Sequence, residues 1–173
     1  MDSILRYSVP DDGVGIWWLG QASYCFKSPK GKIVLLDPYL SDSCGKSHPG
    51  HGFNRLVPPP IEPKALIADI ILCSHDHLDH LDPETLASIP QKVLKKVTFA
   101  GPRNACNHAK KLGFFFKKSV EIFLGETALI DGIKITGTFA LPTDDSDLYH
   151  QGFVIEFENG IKIYNTGDTG YCE

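Results

Sequence analysis

An α/β sandwich is expected from three features of this 173-residue chain. Hairpin signals lie at both ends: Lys30-Gly31 early, then Asp131-Gly132 and Asn159-Gly160 in the last third, each between apolar runs. Between the hairpins, short continuous apolar runs alternate with helix-start and helix-stop residues, as in a sheet covered on both faces. The composition, 42% hydrophobic and 22% charged, is that of an ordinary globular domain. The length suits one sizeable core, so a single domain over residues 1–173 is expected.

The elements follow in order. Residues 14–20 ("VGIWWLG"), 23–28 and 33–37 read as three strands of a β-meander, with Trp17 and Trp18 expected in core and sheet packing. Residues 38–63 read as a long irregular loop, because the run Pro58-Pro59-Pro60 fits neither an interior strand nor a helix centre. Such a loop inside a compact domain is usually functional. Residues 68–73 ("ADIILC") form a short buried strand. Asp82 then caps a helix that has Pro83 at its first position. A buried strand over 97–101 leads into a helix over 102–113, with Pro102 in its first turn and Gly113 as its stop. His108 on that helix reads as a surface or packing residue. After Gly113 only strands are expected.

Several function classes are disfavoured. The formal charge is −4 and no basic run stands out, which argues against a large nucleic-acid surface. No apolar stretch reaches the length of a membrane span, and the N-terminal residues lack the basic start and apolar centre of a signal peptide. A cytoplasmic protein with no nucleic-acid and no membrane partner is therefore expected. The five cysteines are widely spaced with no C-x-x-C pair, so reduced thiols are expected rather than disulfides or a cysteine zinc site.

Chemistry concentrates in "HDHLDH", residues 75–80, directly after the buried strand. Rings two residues apart in an extended loop point to one side, so His75 and His77 can share one ion, while Asp79 and His80 reach a second position. Imidazole with carboxylate suits zinc, manganese or iron. Two such ions lower the pKa of a bridging water and stabilise charge that develops on a substrate. On the long loop, Lys46, Ser47, His48 and His51 suit a phosphorylated or polyhydroxylated ligand, or are simply exposed loop residues.

The H-x-H-x-D-H motif after a buried strand resembles the signature of the metallo-β-lactamase fold superfamily. "LLDP" (35–38) and "YNTGDTGY" (164–171) are similar to two further motifs of that superfamily. "WWLGQASYCFKS", "GKSHPGHG" and "FAGPRNACNHAKKLG" resemble segments of the L-ascorbate-6-phosphate lactonase family within it. The resemblance implies an αββα sandwich and two divalent ions, zinc or manganese with iron possible. It implies that His75, His77, Asp79 and His80 are ligands, that Asp168 bridges the ions, and that Asp37 braces the metal loop without touching metal. Asp79 would also orient or deprotonate the attacking water in hydrolysis of a lactone of the sugar-acid type. The alternatives are a phosphodiesterase of the same fold and a non-catalytic metal-binding fragment that needs a partner.

Two departures from the pattern carry expectations. The superfamily's third histidine for the first ion falls near Leu141 and Pro142, where none stands. His150 is the nearest histidine and Asp144 and Asp145 are oxygen alternatives; the competing reading puts His150 at a strand start, facing solvent or packing on Tyr149. The superfamily's last histidine ligand lies well beyond the bridging aspartate, and only five residues follow Asp168. The sandwich is thus expected to be C-terminally incomplete, with its final layer supplied by a homo-oligomer mate or a complementing C-terminal segment.

Overall fold

In the computed structural model, residues 1–141 and 149–171 are described. Among the described residues ten strands form two sheets. Strands β1 (Gly15–Gly20), β2 (Ser23–Lys27) and β3 (Ile33–Leu36) make an antiparallel meander. Strands β4 (Ile70–Leu72), β5 (Thr98–Gly101) and β6 (Lys118–Glu121) add in parallel, giving one sheet in sequence order. The second sheet is antiparallel in the order β10-β9-β8-β7, built from β7 (Thr127–Ile130), β8 (Ile133–Phe139), β9 (Gln151–Glu156) and β10 (Lys162–Asn165).

The alternation along the strands sets the layers. Phe26, Val34, Leu36, Ile70, Leu72 and Ala100 of the first sheet pack on Ile130, Ile133, Ile135, Phe153 and Ile155 of the second. The opposite face of the first sheet carries Leu19, Cys25, Ile33, Leu35, Ile71 and Phe99. It is covered by helices α3 (Pro83–Ser88), α4 (Gln91–Leu94) and α5 (Arg103–Lys111) through Leu86, Leu94, Ala105 and Ala109. Among the described residues no helix covers the outer face of the second sheet, where Leu129 and Tyr164 are 70% and 58% exposed.

The expected strands are present, and Asp82 caps α3 by accepting from the Glu84 amide at 3.1 Å. Pro102 stands at the N-cap of α5 rather than inside its first turn. The long loop contains one short helix, α2 (Ser43–Ser47), which the flanking glycine and prolines concealed. Two further elements carry no sequence signal. Strand β6 ("KSVE") is a polar edge strand without alternation. Helix α1 (Asp2–Arg6) buries only Ile4 and is held from outside: Lys27 Nζ donates to the carbonyls of Ile4, Leu5 and Tyr7 at 2.9, 2.7 and 2.8 Å. Changing Lys27 to Met leaves those acceptors unserved. The expected cost is about 2 kcal/mol, a drop of roughly 4–8 °C in Tm, with early loss of amide protection over residues 2–7. An unchanged melt would show that α1 stands without this cap.

Candidate metal centre

The site forms where the central parallel strands end. Strand β4 runs out at Leu72 and the motif loop turns over the sheet's C-terminal edge, the usual place for ligands in parallel α/β sheets. Asp37, just past β3, sits at φ 44° and is buried. Both its oxygens serve the loop. Oδ1 accepts from the Ser74 amide at 2.7 Å, and Oδ2 accepts from the Ser74 hydroxyl at 2.6 Å and lies 2.9 Å from His80 Nδ1. The left-handed backbone at Asp37 costs about 1 kcal/mol and is held by the Asp37 amide donating to Leu72 O and the Ser23 hydroxyl donating to Asp37 O.

Strand β9 brings in a residue from far along the chain. The Gln151 amide donates to Ser74 O at 3.4 Å, which sets His150 against the motif loop. The His75 ring centre lies 3.9 Å from those of His80 and His150 and 4.5 Å from that of His77. Asp168 arrives on the turn after β10. Gly167 at φ 62° passes so close to β9 that a Cβ there would lie 2.5 Å from Gln151 O, and this approach puts Asp168 Oδ2 3.2 Å from His80 Nε2. Two donor groups result, His75 with His77 and His150, and His75 with His80 and Asp168; within each, the donor atoms lie within 4.8 Å of one another.

Residues 15–172 match the beta-lactamase superfamily domain. The chain belongs to this superfamily. It is 30% identical over 166 residues to a UPF0173 metal-dependent hydrolase of Rubrobacter xylanophilus, covering 91% of this chain and 61% of that protein. It is 31% identical over 175 residues to one of Polynucleobacter asymbioticus, covering 88% and 55%. The chain therefore spans 55–61% of the length of these two relatives. Two solved structures share the fold. The isothiocyanate hydrolase from Delia radicum gut bacteria aligns with a TM-score of 0.68 at 22% identity, over 91% of this chain and 63% of that one. The metallo hydrolase Igni18 from Ignicoccus hospitalis aligns with a TM-score of 0.63 at 19% identity, over 92% and 62%.

The donor set fits the metal that the superfamily implies. His75 is fully buried; its Nδ1 lies 3.0 Å from the Ser74 hydroxyl, while its Nε2 is buried with no hydrogen-bond partner. An orphaned buried nitrogen costs about 1–3 kcal/mol, and one that faces other imidazoles has the chemistry to bind a divalent ion. Burial, reinforced by the fields of His80, His150 and His77, pushes the His75 imidazole down to about 2, so it is neutral and ready to coordinate. Burial also disfavours charge on His80, but Asp37 and Asp168 on either side outweigh it and lift this imidazole to about 10. The His80 hydrogen bond in turn draws the Asp168 carboxyl down to about 2.

For the metal-free protein these shifts are expected to make the joint contribution of His75 and His80 to stability greatest near pH 6.5. Above 6.5 the folded state keeps a proton on His80 that the unfolded chain has released, so the His80 contribution fades as pH rises toward 10. Below 6.5 the unfolded chain protonates His75 while the folded state does not, so stability falls again. Ligation needs His80 deprotonated, so bound metal should move the optimum upward. Melts of chelated and loaded protein from pH 5 to 9 check this; identical profiles would contradict it.

A cavity of about 790 Å³ opens beside the cluster, with His77, Asp79 and Asp168 on its floor and Trp18, Phe53, Leu56, Val57 and Leu78 among its walls. The long loop is fastened over it by Arg55. Its guanidinium donates to the carbonyls of Tyr39, Leu19 and Val57 and to Gln21 Oε1, at 2.5–3.2 Å.

The structure thus gathers His75, His77, His80, His150 and Asp168, and puts Asp37 behind them. Asp79 is in neither donor group but stands beside the second: its side chain, 42% exposed, lines the cavity, with Oδ2 3.6 Å from His80 Nε2. His150 is buried in the cluster rather than facing solvent. Asp144, Asp145 and Pro142 lie outside the described residues. Of the four candidates Lys46, Ser47, His48 and His51, His48 lines the cavity, packing edge-on against Phe53; Lys46 is turned to Glu84 on α3, 2.5 Å away, and Ser47 and His51 are exposed. Trp18 belongs to the cavity wall, not to the core, because β1 is an edge strand and turns it outward. His108 does more than pack: its Nδ1 lies 3.3 Å from Asp76, so the motif's first aspartate faces α5 rather than the cluster. Trp18, Arg55 and Ser74 belong to the site without any sequence mark of it, since none carries a ligand-type signal by itself.

Proposed function

We propose that this chain carries the catalytic centre of a metal-dependent hydrolase that opens ring esters. The observation that supports this most is the pair of three-residue donor groups sharing His75 beside an open cavity. Two divalent ions, zinc or manganese with iron as the alternative, would supply Lewis acidity and an acidified water there. Asp37 holds His80 Nδ1, which fixes the ring and leaves Nε2 toward the cluster. Asp79, half-exposed on the cavity floor, would orient an attacking water and take its proton. The ring-ester preference rests on the lactonase-like segments of the sequence. A dimer mate or a complementing segment would pack on the open face of the second sheet, where Leu129 and Tyr164 stand exposed.

Metal-stripped protein reloaded with zinc or manganese should hydrolyse simple γ- and δ-lactones, and a chelator should abolish that turnover. Metal-loaded protein that is inert to lactones but cleaves bis(p-nitrophenyl) phosphate would replace this reading with a phosphodiesterase. Size-exclusion chromatography of the same sample reads the partner: a stable monomer with two tightly held metals would count against the packing mate.

A further inference from the structure

We infer that the cavity over the metal cluster selects an uncharged substrate with a bulky apolar group and rejects a phosphorylated one. This rests on the reading of the cluster as a hydrolytic centre and names the substrate that centre takes.

The walls are the first argument. Trp18, Phe53, Leu56 and Val57 are 57%, 53%, 97% and 47% exposed, and all four line this one cavity. Large apolar side chains gathered around a concave site, beside polar groups on its floor, are what the apolar part of a small ligand buries itself against. The volume, about 790 Å³, lies within the range of small-molecule sites.

The charges are the second argument. A phosphate needs a free cation or several spare donors. Arg55 is the cation that lines the cavity among the described residues, and its guanidinium is spent on three carbonyls and Gln21. Of its five N–H donors, four are engaged by those bonds. Lys46 is paired with Glu84 outside the cavity. With Asp168 serving the ions, Asp79 is the other acidic side chain lining the cavity among the described residues, and a carboxylate offers an anion no donor. His48 at the rim packs against the Phe53 ring. The phosphorylated ligand that Lys46, Ser47, His48 and His51 suit by sequence therefore finds no receptor in the folded loop.

The fastening of the loop is the third argument. Arg55 ties the wall segment to Leu19 on β1 and to Tyr39 after β3, and Asp42 accepts from the Arg55 amide at 2.9 Å. A Cβ at Gly20, φ 100°, would lie 2.3 Å from Arg55 Nη2, so that glycine keeps the space for the strap. The apolar wall is thus formed before a ligand arrives, which lowers the ordering cost of binding.

The test uses zinc-loaded protein and two probes that cannot be hydrolysed: 2-pentylcyclopentanone, and the same ketone with a phosphate on the end of its chain. Binding is followed by tryptophan emission, with Trp18 in the wall as reporter. The plain ketone should bind at least tenfold more tightly than its phosphate analogue. Leu56→Asp should weaken the ketone about tenfold at unchanged zinc content, since Leu56 is almost wholly exposed and outside the fold's core. Equal or tighter binding of the phosphate analogue overturns the inference. So does failure of both probes to bind, as when another segment of chain occupies the cavity. Ketone binding without any lactone hydrolysis would count against the hydrolytic reading and leave this selectivity standing.

Discussion

A His75→Ala/His77→Ala protein is expected to lose its metal. His75 contributes to both donor groups and His77 to one, so the double change leaves His80 with Asp168 at one position and His150 alone at the other. Two ligands do not hold a divalent ion of this class against water; sites of this kind use three or four. Metal content after dialysis should fall at least tenfold by elemental analysis, and any metal-dependent turnover should go with it. A second readout separates this from unfolding. Wild-type protein should melt lower after chelation, because an ion bound only by the folded state stabilises it by mass action, and the double variant should show no such shift. Unchanged metal content would remove the motif from the metal site altogether.

An Asp37→Asn protein is expected to fold and to bind metal about 10–100-fold more weakly, the usual cost of losing a group that orients a ligand. Asparagine tolerates the left-handed backbone at this position, φ 44°, and keeps the side chain's volume. Its carbonyl still accepts from the Ser74 amide, but its amide group would face His80 Nδ1 where a carboxylate now holds it. His80 then loses the partner that fixes its ring, and Nε2 no longer meets Asp168 in one orientation. Wild-type affinity and turnover in this variant would show that Asp37 only supports the backbone.

Most of the fold was legible because its strands obey one rule: apolar residues in unbroken runs where both faces are covered, as in β3 and β4, or alternating where one is, as in β8. The strand β6 escaped because an edge strand pairing in parallel with β5 needs no apolar residues of its own. Helix α1 escaped because its cap, Lys27, is contributed by a strand twenty residues on. The site divides in the same way. His75, His77 and His80 announce themselves because one turn of chain carries all three, and Asp37 and Asp168 because each ends a strand in a distinctive phrase. His150 has no such local signal. Only the contact of β9 with Ser74 brings it to the cluster, and that pairing is a property of the fold, not of spacing. The cavity wall was least legible: Trp18 looks like core in an aromatic run, and the reach of Arg55 across the loop leaves no trace in its neighbours.

The central claim is that His75 Nε2, buried and without a hydrogen-bond partner, is a metal ligand shared by the cluster. Anomalous diffraction at the zinc edge from crystals of zinc-loaded protein tests it most directly. A peak is expected about 2.0–2.1 Å from His75 Nε2, with further donors from His77, His150, His80 or Asp168 around it. Zinc bound elsewhere, with His75 Nε2 still facing only its neighbouring rings, would contradict it.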